Sequence, residues 1–487
     1  MKTVQTDVCV IAGGPSGLAA AVSAAEKGAN VVILEKTMTT GGAGNMGMGP
    51  FAVESHIQKE AMNELTLDQA FRIFMDYTHW RVDARLVHDY LEKSASTIEW
   101  LEDMGVQFYD AVKYFPTGNA TWHRVKPENG KPGPRGASVM YKRMTERALE
   151  LGVQILYETP AQHIEMTNGE VTAVLAQDKS GEDVRVECIA AVIATGGFGN
   201  NPEMIQELIG YEHGKNLFSF RIPGIMGDGI RMAWEVGAAR TNMTIEMTTE
   251  CPGVNDAGLP GMLFFQPKAL VLNKNCERFI NEELLENTTF SANAIDLQPD
   301  KYGISILDSS VLDWYAKRGL DVISNVHDSN GKPVTFEQDA RKAVEQGAEN
   351  IYVADSLAEL AQQLGLESGK LEQAVDVYNQ GCSTKEDLFY KQAKHLKPLT
   401  GPHYFATKMK LSGYGTLGGI KINHKTQVLS TEGTPISGLY AAGTDACSIF
   451  GDSYVFVLPG NTMGFAVNSG RIAGENAAGY VFMEDEE

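Results

Sequence analysis

The chain lacks the features that mark membrane, secreted and metal-binding proteins. Its six cysteines are scattered over 487 residues without CxxC, haem-attachment or cluster-ligand spacing, which argues against disulfides, zinc, iron–sulfur clusters and covalent haem. No apolar stretch reaches 18 residues, so no membrane-spanning helix is predicted. The N-terminus runs directly into a predicted strand without a signal-peptide core or a twin-arginine signal, and a cytoplasmic location is therefore expected.

Positive charge is also scarce. Lysine and arginine number 41 against 62 aspartates and glutamates, which gives a formal net charge of −21. Such a surface repels nucleic acid and anionic lipid head groups, so neither is expected as a partner. With 43% hydrophobic and 21% charged residues, the composition is that of a folded globular protein rather than a disordered chain.

Glycine is the residue in excess, with 50 in the chain. The glycines form short, dense clusters beside apolar runs, and they show neither a period nor a linker-like distribution. Clusters of this kind mark places where the backbone approaches another group closely.

Residues 7–36 carry the first such cluster, in the sequence DVCVIAGGPSGLAAAVSAAEKGANVVILEK. The pattern predicts a strand at 8–11, a glycine turn, a helix at 18–27 and a second strand at 31–34. Gly14 lets the backbone approach a pyrophosphate, Gly17 lets the helix pack on the sheet, and Glu35 accepts hydrogen bonds from a ribose. Ala12 stands where the motif has its first glycine. The unit predicts a dinucleotide site at the helix N-terminus.

The next stretch, TTGGAGNMGMGPF at residues 39–51, distinguishes a flavin site from a nicotinamide site. Glycine-rich loops at this point pass the backbone under a flavin in proteins of the two-dinucleotide-binding type. Here the sequence resembles the fumarate reductase and succinate dehydrogenase flavoprotein superfamily, which includes 3-ketosteroid dehydrogenases, and the resemblance covers nearly the whole chain. It implies FAD as the cofactor. No histidine stands in this loop, where succinate dehydrogenases attach FAD, so the FAD is expected to be non-covalent.

The resemblance also implies the architecture. The expected fold class is α/β, a Rossmann-like FAD-binding domain with an inserted α+β capping domain. Residues 1–235 and 396–487 are expected to form the FAD-binding domain, and residues 236–395 the capping domain with a helical connection. The landmarks are AVIATGGF at 191–198, GDGIRMAWEVGA at 227–238, ALVLNKNCERFINEE at 269–283 and GLYAAGTDACSIFGDSY at 438–454.

Cofactor-binding residues follow from the motifs and from the resemblance. The amides at the start of the last helix are expected to face the pyrimidine edge of the flavin, where reduction develops negative charge. The glycines farther along this helix, Gly464, Gly470, Gly474 and Gly479, are expected to allow close packing. The assigned cofactor residues are Ala12, Gly13, Gly14, Pro15, Ser16, Gly17, Glu35, Lys36, Gly41, Gly42, Ala43, Gly47, Met48, Gly49, Ala161, Ala194, Thr195, Gly196, Asp228, Gly443, Thr444, Asp445, Asn461, Thr462 and Met463.

The predicted substrate site lacks the cations that hold a dicarboxylate in fumarate reductases. The family's turn is kept at 278–282, but the position of the proton-donating arginine is Glu286, and Tyr414 and Gly415 replace the paired histidines. No basic residue stands in 452–470. A doubly charged substrate would lose its hydration without gaining partners, at a cost of several kcal/mol per ion. A C4-dicarboxylate is therefore not the expected substrate.

The replacements supply the candidate catalytic residues, which are Tyr414, Tyr454 and Glu286. Tyr414 is suited to polarising a carbonyl or donating a proton, and Tyr454 resembles the tyrosine with which 3-ketosteroid dehydrogenases bind a carbonyl. Glu286 becomes a general acid if burial raises its pKa. Structural roles remain open for all three, as core tyrosines and as a solvated glutamate. His123 and His403 are weaker candidates.

These observations predict an FAD-dependent ene reductase or dehydrogenase that moves a hydride between flavin N5 and a carbon next to an activating carbonyl. The expected substrate is a neutral or singly charged, apolar enone, steroid-like or aromatic. One alternative is a fumarate-type reductase with relocated arginines such as Arg221 or Arg240. Another is a flavin electron-transfer subunit without a substrate of its own. The electron donor or acceptor is not identified by any motif.

Overall fold

Two large β-sheets carry the fold of this protein, whose computed structural model describes residues 1–128, 130, 133–219, 222–323 and 333–484. Within these ranges the strands are β1 (Lys2–Gln5), β2 (Val8–Ile11), β3 (Val31–Leu34), β4 (Phe108–Val112), β5 (Trp122–Val125), β6 (Gln154–Leu156), β7 (Ala161–Thr167), β8 (Glu170–Gln177), β9 (Asp183–Glu187), β10 (Ala190–Ile193), β11 (Phe218–Ser219), β12 (Thr244–Glu250), β13 (Leu270–Leu272), β14 (Tyr302–Asp308), β15 (Tyr352–Ala354), β16 (Tyr404–Gly419), β17 (Gln427–Leu429), β18 (Pro435–Ala441) and β19 (Ala446–Cys447). The α-helices are α1 (Pro15–Glu26), α2 (His56–Glu60), α3 (Leu67–Tyr77), α4 (Ala84–Asp103), α5 (Ser138–Glu150), α6 (Pro202–Ile209), α7 (Asp228–Glu235), α8 (Thr288–Asp296), α9 (Ser309–Arg318), α10 (Phe336–Glu345), α11 (Leu357–Leu364), α12 (Ser368–Thr384) and α13 (Asn461–Glu484).

The first sheet has a parallel core in the order β18-β10-β2-β3-β6. The residues of β2, β3 and β10 are buried along their whole length, as a sheet covered on both faces requires. An antiparallel meander, β7 to β9, extends the sheet beyond β18. The predicted Rossmann-like α/β fold is confirmed by this strand order.

The second sheet is largely antiparallel and is built around β16. This 16-residue strand pairs with β11, β12, β14, β15 and β19, and β14 pairs in turn with β13. Helices α8, α9 and α11 pack against its strands, which gives the α+β insertion that the sequence predicts. The sheet includes β16, although the division of the sequence at residue 395 assigned those residues to the FAD-binding domain.

The glycines of α13 explain its close contact with α1. A Cβ atom at Gly470 would stand 2.2 Å from the Ser16 carbonyl oxygen, and one at Gly474 would stand 2.1 Å from that of Ala20. These two glycines confirm the expected close packing of the helices. Gly479 does not, because a Cβ atom there would meet nothing within 4 Å. The prediction for Gly479 is wrong, because its position on α13 leaves open space where a Cβ atom would stand.

Among the described residues, no helix combines the length and the apolar character that crossing a bilayer requires.

Ala12 adopts a backbone conformation that favours glycine. Its φ angle is +85°, in the left-handed region, which costs an L-amino acid about 1–2 kcal/mol. The substitution of Ala for the first glycine of the motif therefore leaves a strained turn between β2 and α1.

We expect Ala12→Gly to raise the free energy of unfolding by about 1 kcal/mol, because glycine adopts this φ angle without a steric penalty. Denaturant unfolding of the two proteins measures the difference. A lower stability of the variant would show that the methyl group contributes packing that exceeds the strain.

Candidate FAD and substrate site

The predicted cofactor residues meet at one edge of the parallel sheet. Strands β2, β3, β10 and β18 all end there, and the segments that follow them are 12–17, 35–36, 194–196 and Gly443–Asp445. Ligands of open α/β sheets bind at this carboxyl edge. The fold thus gathers in one place the motifs that the sequence spreads over more than 430 residues.

The turn between β2 and α1 is held by Glu35. The amide of Gly13 donates to Glu35 Oε2 at 2.7 Å, and the amide and hydroxyl of Thr37 donate to Oε1 at 2.7 and 2.8 Å. A carboxylate has about four acceptor sites, so Glu35 retains capacity for a ribose hydroxyl. At Gly17 a Cβ atom would stand 1.9 Å from the Ala12 carbonyl oxygen, which requires glycine there.

Lys36 and Asp228 form an ion pair of 2.7 Å at the end of β3. The amide of Thr159 donates to the Glu35 carbonyl nearby, and Ala161 begins β7 two residues later. Asp228, Ala161 and Glu35 therefore lie at the same end of the site, where the motif places a ribose. Asp228 pairs with Lys36, and its assignment to the cofactor site stays a prediction.

Asp445 contacts protein groups rather than open space. Its carboxylate accepts hydrogen bonds from the amides of Thr195, Gly196 and Gly197 and from the Thr195 hydroxyl. Burial raises its pKa, against these hydrogen bonds. Asp445 therefore holds the 195–197 turn, and its assignment to the cofactor site stays a prediction.

The glycine-rich loop at 41–49 lies on the start of α1. The amide of Gly41 donates to the Gly13 carbonyl at 2.8 Å, and a Cβ atom at Gly44 would stand 2.5 Å from Pro15 and from the ring of Tyr141. The Tyr141 hydroxyl is buried without a hydrogen-bond partner among the described residues. A buried hydroxyl donor beside a helix N-terminus fits a bound pyrophosphate, which would satisfy it.

The first turn of α13 and the loop before it form another part of the site. Gly460 has a φ angle of +90°, and the amide of Phe51 donates to its carbonyl at 2.9 Å. The Asn461 side chain accepts from Tyr90 Oη at 2.7 Å, so it fixes the helix start. A Cβ atom at Gly47 would stand 2.3 Å from Met463 Cε. The glycine loop and the first turn of α13 are therefore in contact.

Tyr414 of β16 borders a partly open space, called the cleft below, together with Tyr114, Glu246 and Glu250. The residue is 43% exposed, and the surrounding protein raises the pKa of its hydroxyl well above the usual value. The hydroxyl forms a hydrogen bond with that of Tyr114, whose pKa burial raises to about 12. Both tyrosines therefore stay protonated at neutral pH.

An aromatic wall surrounds this tyrosine pair. The Tyr114 ring lies 4.4 Å from that of Phe456 and 5.8 Å from that of Trp122, and Phe115 lies 5.5 Å from Phe456. Two acids of β12 complete the surroundings, Glu246 and Glu250, and burial raises the pKa of both, to about 8 for Glu246.

The other predicted catalytic residues lie nearby but differ from Tyr414. Tyr454 is 4% exposed, and its hydroxyl accepts from the amide of Thr462 at 3.2 Å, which makes it a support for the helix start. Glu286 is half-buried and accepts from the Thr117 hydroxyl at 2.6 Å, so it links the capping region to the segment after β4. Their catalytic roles remain predictions.

The basic candidates do not face this cleft. Arg240 is exposed and stacks on Trp234 at 3.9 Å, and Arg221 lies outside the described residues. His123 is buried between the Ser55 hydroxyl and the Thr121 carbonyl, and burial lowers its pKa to about 4. His403 contacts Asp355 and Arg341 beside α10.

The surroundings of Tyr414 contain two acids that the sequence analysis missed, Glu246 and Glu250. Glu246 is 4% exposed, and both carboxylate oxygens lie within 2.9 Å of the Thr462 hydroxyl. The signal for it was a charged residue in the middle of TIEMTTE, a strand whose inner residues are all buried.

A parallel sheet with these glycine turns, two helix starts and an acid at the end of β3, all at one edge, is typical of an FAD-dependent oxidoreductase. A sequence family described as FAD binding domain matches residues 7–462. The chain belongs to this family, its cofactor is FAD, and it is an enzyme of the class that acts on CH–CH bonds. The predicted membership of the fumarate reductase and 3-ketosteroid dehydrogenase superfamily is confirmed.

Known relatives resemble the chain along its whole length. Vinyl phenol reductase of Lactiplantibacillus plantarum is 33% identical over 98% of this chain and 97% of its own. The structure of a flavocytochrome c3 fumarate reductase in its open conformation is 25% identical, with a TM-score of 0.70, and covers 98% of this chain and 79% of its own. 3-Ketosteroid-Δ4-(5α)-dehydrogenase of Rhodococcus jostii RHA1 is 24% identical, with a TM-score of 0.75, and covers 98% and 97%.

Proposed function

We propose that the protein reduces the conjugated C=C bond of a neutral or singly charged substrate with a flat, apolar body, such as an alkenyl phenol or an enone. The observation that carries this proposal is the wall of the cleft. Aromatic rings, the Tyr114 hydroxyl, a buried acid and a half-buried acid surround Tyr414, where a dicarboxylate would need cations. Without cations such a substrate loses its hydration and gains no partners.

The aromatic wall also fits the body of the substrate. Rings prefer offset-stacked or edge-to-face contacts at 4.5–7 Å, worth about 0.5–1.5 kcal/mol each beyond their buried area. The similarity to a vinyl phenol reductase over both full lengths supports a substrate in which the alkene is attached to an aromatic ring.

The chemistry requires one hydride and one proton for each alkene. When bound and reduced, FAD supplies the hydride. Tyr414 Oη holds the proton, which adds to the alkene carbon that does not receive the hydride. The hydrogen bond to Tyr114 orients the Tyr414 hydroxyl. Aromatic side chains around the pair exclude water. Regeneration of the reduced cofactor requires an external electron donor, whose identity is open.

An anaerobic reoxidation experiment tests the substrate class. The purified holoenzyme is reduced with dithionite and mixed with 4-vinylphenol, an enone, a 3-keto-4-ene steroid or fumarate, while the flavin absorbance is followed. We expect reoxidation by vinylphenol or an enone to exceed that by fumarate at least about 100-fold, the effect of an unpaired charge in a buried site. Fastest reoxidation by fumarate would contradict the proposal. Failure with every acceptor would favour an electron-transfer subunit.

A further inference from the structure

Glu246 is a buried acid without a role in the proposed reaction, and the groups around it indicate a role. We propose that Glu246 is a positioning residue that acts through Thr462 as a neutral acid at the flavin edge, and that loss of its proton sets the alkaline limit of flavin reduction. The inference rests on the assignment of Thr462 to the cofactor site and does not depend on which alkene is the substrate.

The geometry around Glu246 indicates a protonated carboxyl. Its two oxygens lie 2.9 and 2.8 Å from the Thr462 hydroxyl oxygen. A hydroxyl has one hydrogen to donate, so with an ionised carboxylate the two contacts must share it. The second is favourable when the carboxyl itself carries a proton and donates it to the threonine oxygen. A protonated Glu246 thus forms the arrangement without repulsion between oxygens.

The backbone aims this side chain at the helix start. Ile245 and Met247 of β12 pair with Thr416 and Gly413 of β16, so Glu246 lies opposite two residues, Tyr414 and Gly415. This is a β-bulge in β16. Bulges change the direction of side chains and are frequent next to functional sites. It places Glu246 and Tyr414 on the two strands that meet the first turn of α13.

No cation compensates a negative charge on Glu246 among the groups that face it in the described structure. The titratable groups that its charge influences are Tyr414 of β16, Cys447 of β19 and Tyr454 before α13. Glu250 is on its own strand. Helix α8 contributes the hydroxyls of Thr289 and Ser291 to β12, while its Asp296 pairs with Lys301; the acids of α6, Glu203 and Glu207, are exposed.

Burial without a cation raises the pKa of Glu246 to about 8, so the carboxyl is neutral at pH 7. Above pH 8 it becomes an anion beside Thr462. A reduced flavin would also carry negative charge at the edge assigned to the first turn of α13, and the two charges would disfavour each other. Reduction in this pH range therefore draws a proton back onto Glu246, which couples the flavin potential to this side chain.

The flavin midpoint potential of the holoenzyme, measured by spectroelectrochemistry from pH 6 to pH 10, tests the inference without a substrate. Above pH 8 we expect the wild type to take up one more proton per reduced flavin than Glu246→Gln, which keeps a neutral side chain of the same shape. Glu203→Gln, which neutralises an exposed acid of α6, is the matched control and is expected to follow the wild type.

Two outcomes would overturn the proposal. One is that Glu246→Gln keeps the extra proton uptake, and the other is that Glu250→Gln removes it instead. A second measurement uses only the wild type, so it tests the proposal even if the Glu246→Gln protein does not fold. The infrared spectrum of the wild type is expected to show a carboxylic acid C=O band at pH 7 that is lost by pH 9, and its absence at pH 7 would also refute the idea. Neither result changes with the outcome of the alkene screen.

Discussion

Gly474→Ala is expected to lower the free energy of unfolding by about 3 kcal/mol, the upper range for forcing a group into a packed interior. The new methyl group would stand 2.1 Å from the Ala20 carbonyl oxygen and 2.2 Å from Ser23 Oγ. Because the nearest atom belongs to the backbone of α1, it cannot rotate away, and α13 must shift. Denaturant unfolding measures the loss of stability, and the flavin-to-protein absorbance ratio reports whether FAD binding falls with it.

Gly479→Ala is the matched control on the same helix. Its methyl group meets nothing within 4 Å, and alanine is favoured over glycine in a helix by about 1 kcal/mol. We expect this variant to be as stable as the wild type or more stable. Equal destabilisation by the two substitutions would show that the helix crossing is not what makes Gly474 necessary.

Tyr414→Phe is expected to lower kcat for alkene reduction by about 100-fold or more, the usual contribution of a positioned general acid. The substitution removes one hydroxyl and leaves the ring, so the FAD content and spectrum are expected to stay unchanged. Because burial raises the pKa of Tyr414 well above its usual value, the wild-type rate is expected to show no loss from this hydroxyl between pH 6 and pH 9.

Tyr390→Phe provides the comparison, since Tyr390 is 91% exposed and loses a hydroxyl in the same way. A single-turnover measurement of flavin reoxidation separates the chemical step from substrate binding for both variants. If Tyr414→Phe reoxidises at the wild-type rate, Tyr414 does not deliver the proton, and Tyr454 and Glu286 become the next residues to test.

The cofactor half of the site was predictable because its requirements are local. A glycine at position 17 is needed where the helix packs against its own preceding strand, and an acid at position 35 follows directly from the length of one β-α-β unit. Each such motif predicts a cofactor contact wherever it occurs in the sequence. This holds because the parallel sheet brings the ends of its strands to the same edge.

The substrate half depends on contacts between segments that are far apart in sequence. The burial of Glu246 results from the meeting of β12, β16 and α13, and no pattern within TIEMTTE reveals that Thr462 is its partner. The same holds for the unpaired hydroxyl of Tyr141, which depends on the approach of α5 to the glycine loop. The sequence likewise does not show that the Asp445 carboxylate accepts hydrogen bonds from the amides of 195–197, which follow a different strand.

Strand β16 has a mechanical consequence for this enzyme. It begins among the strands of the capping sheet, where it pairs with β14 and β15, and ends beside Gly443–Asp445 at the cofactor edge, where it pairs with β19. Tyr414 and its bulge lie between these two anchorages. A rotation of the antiparallel sheet relative to the parallel sheet would therefore bend β16 near Tyr414 and displace its hydroxyl.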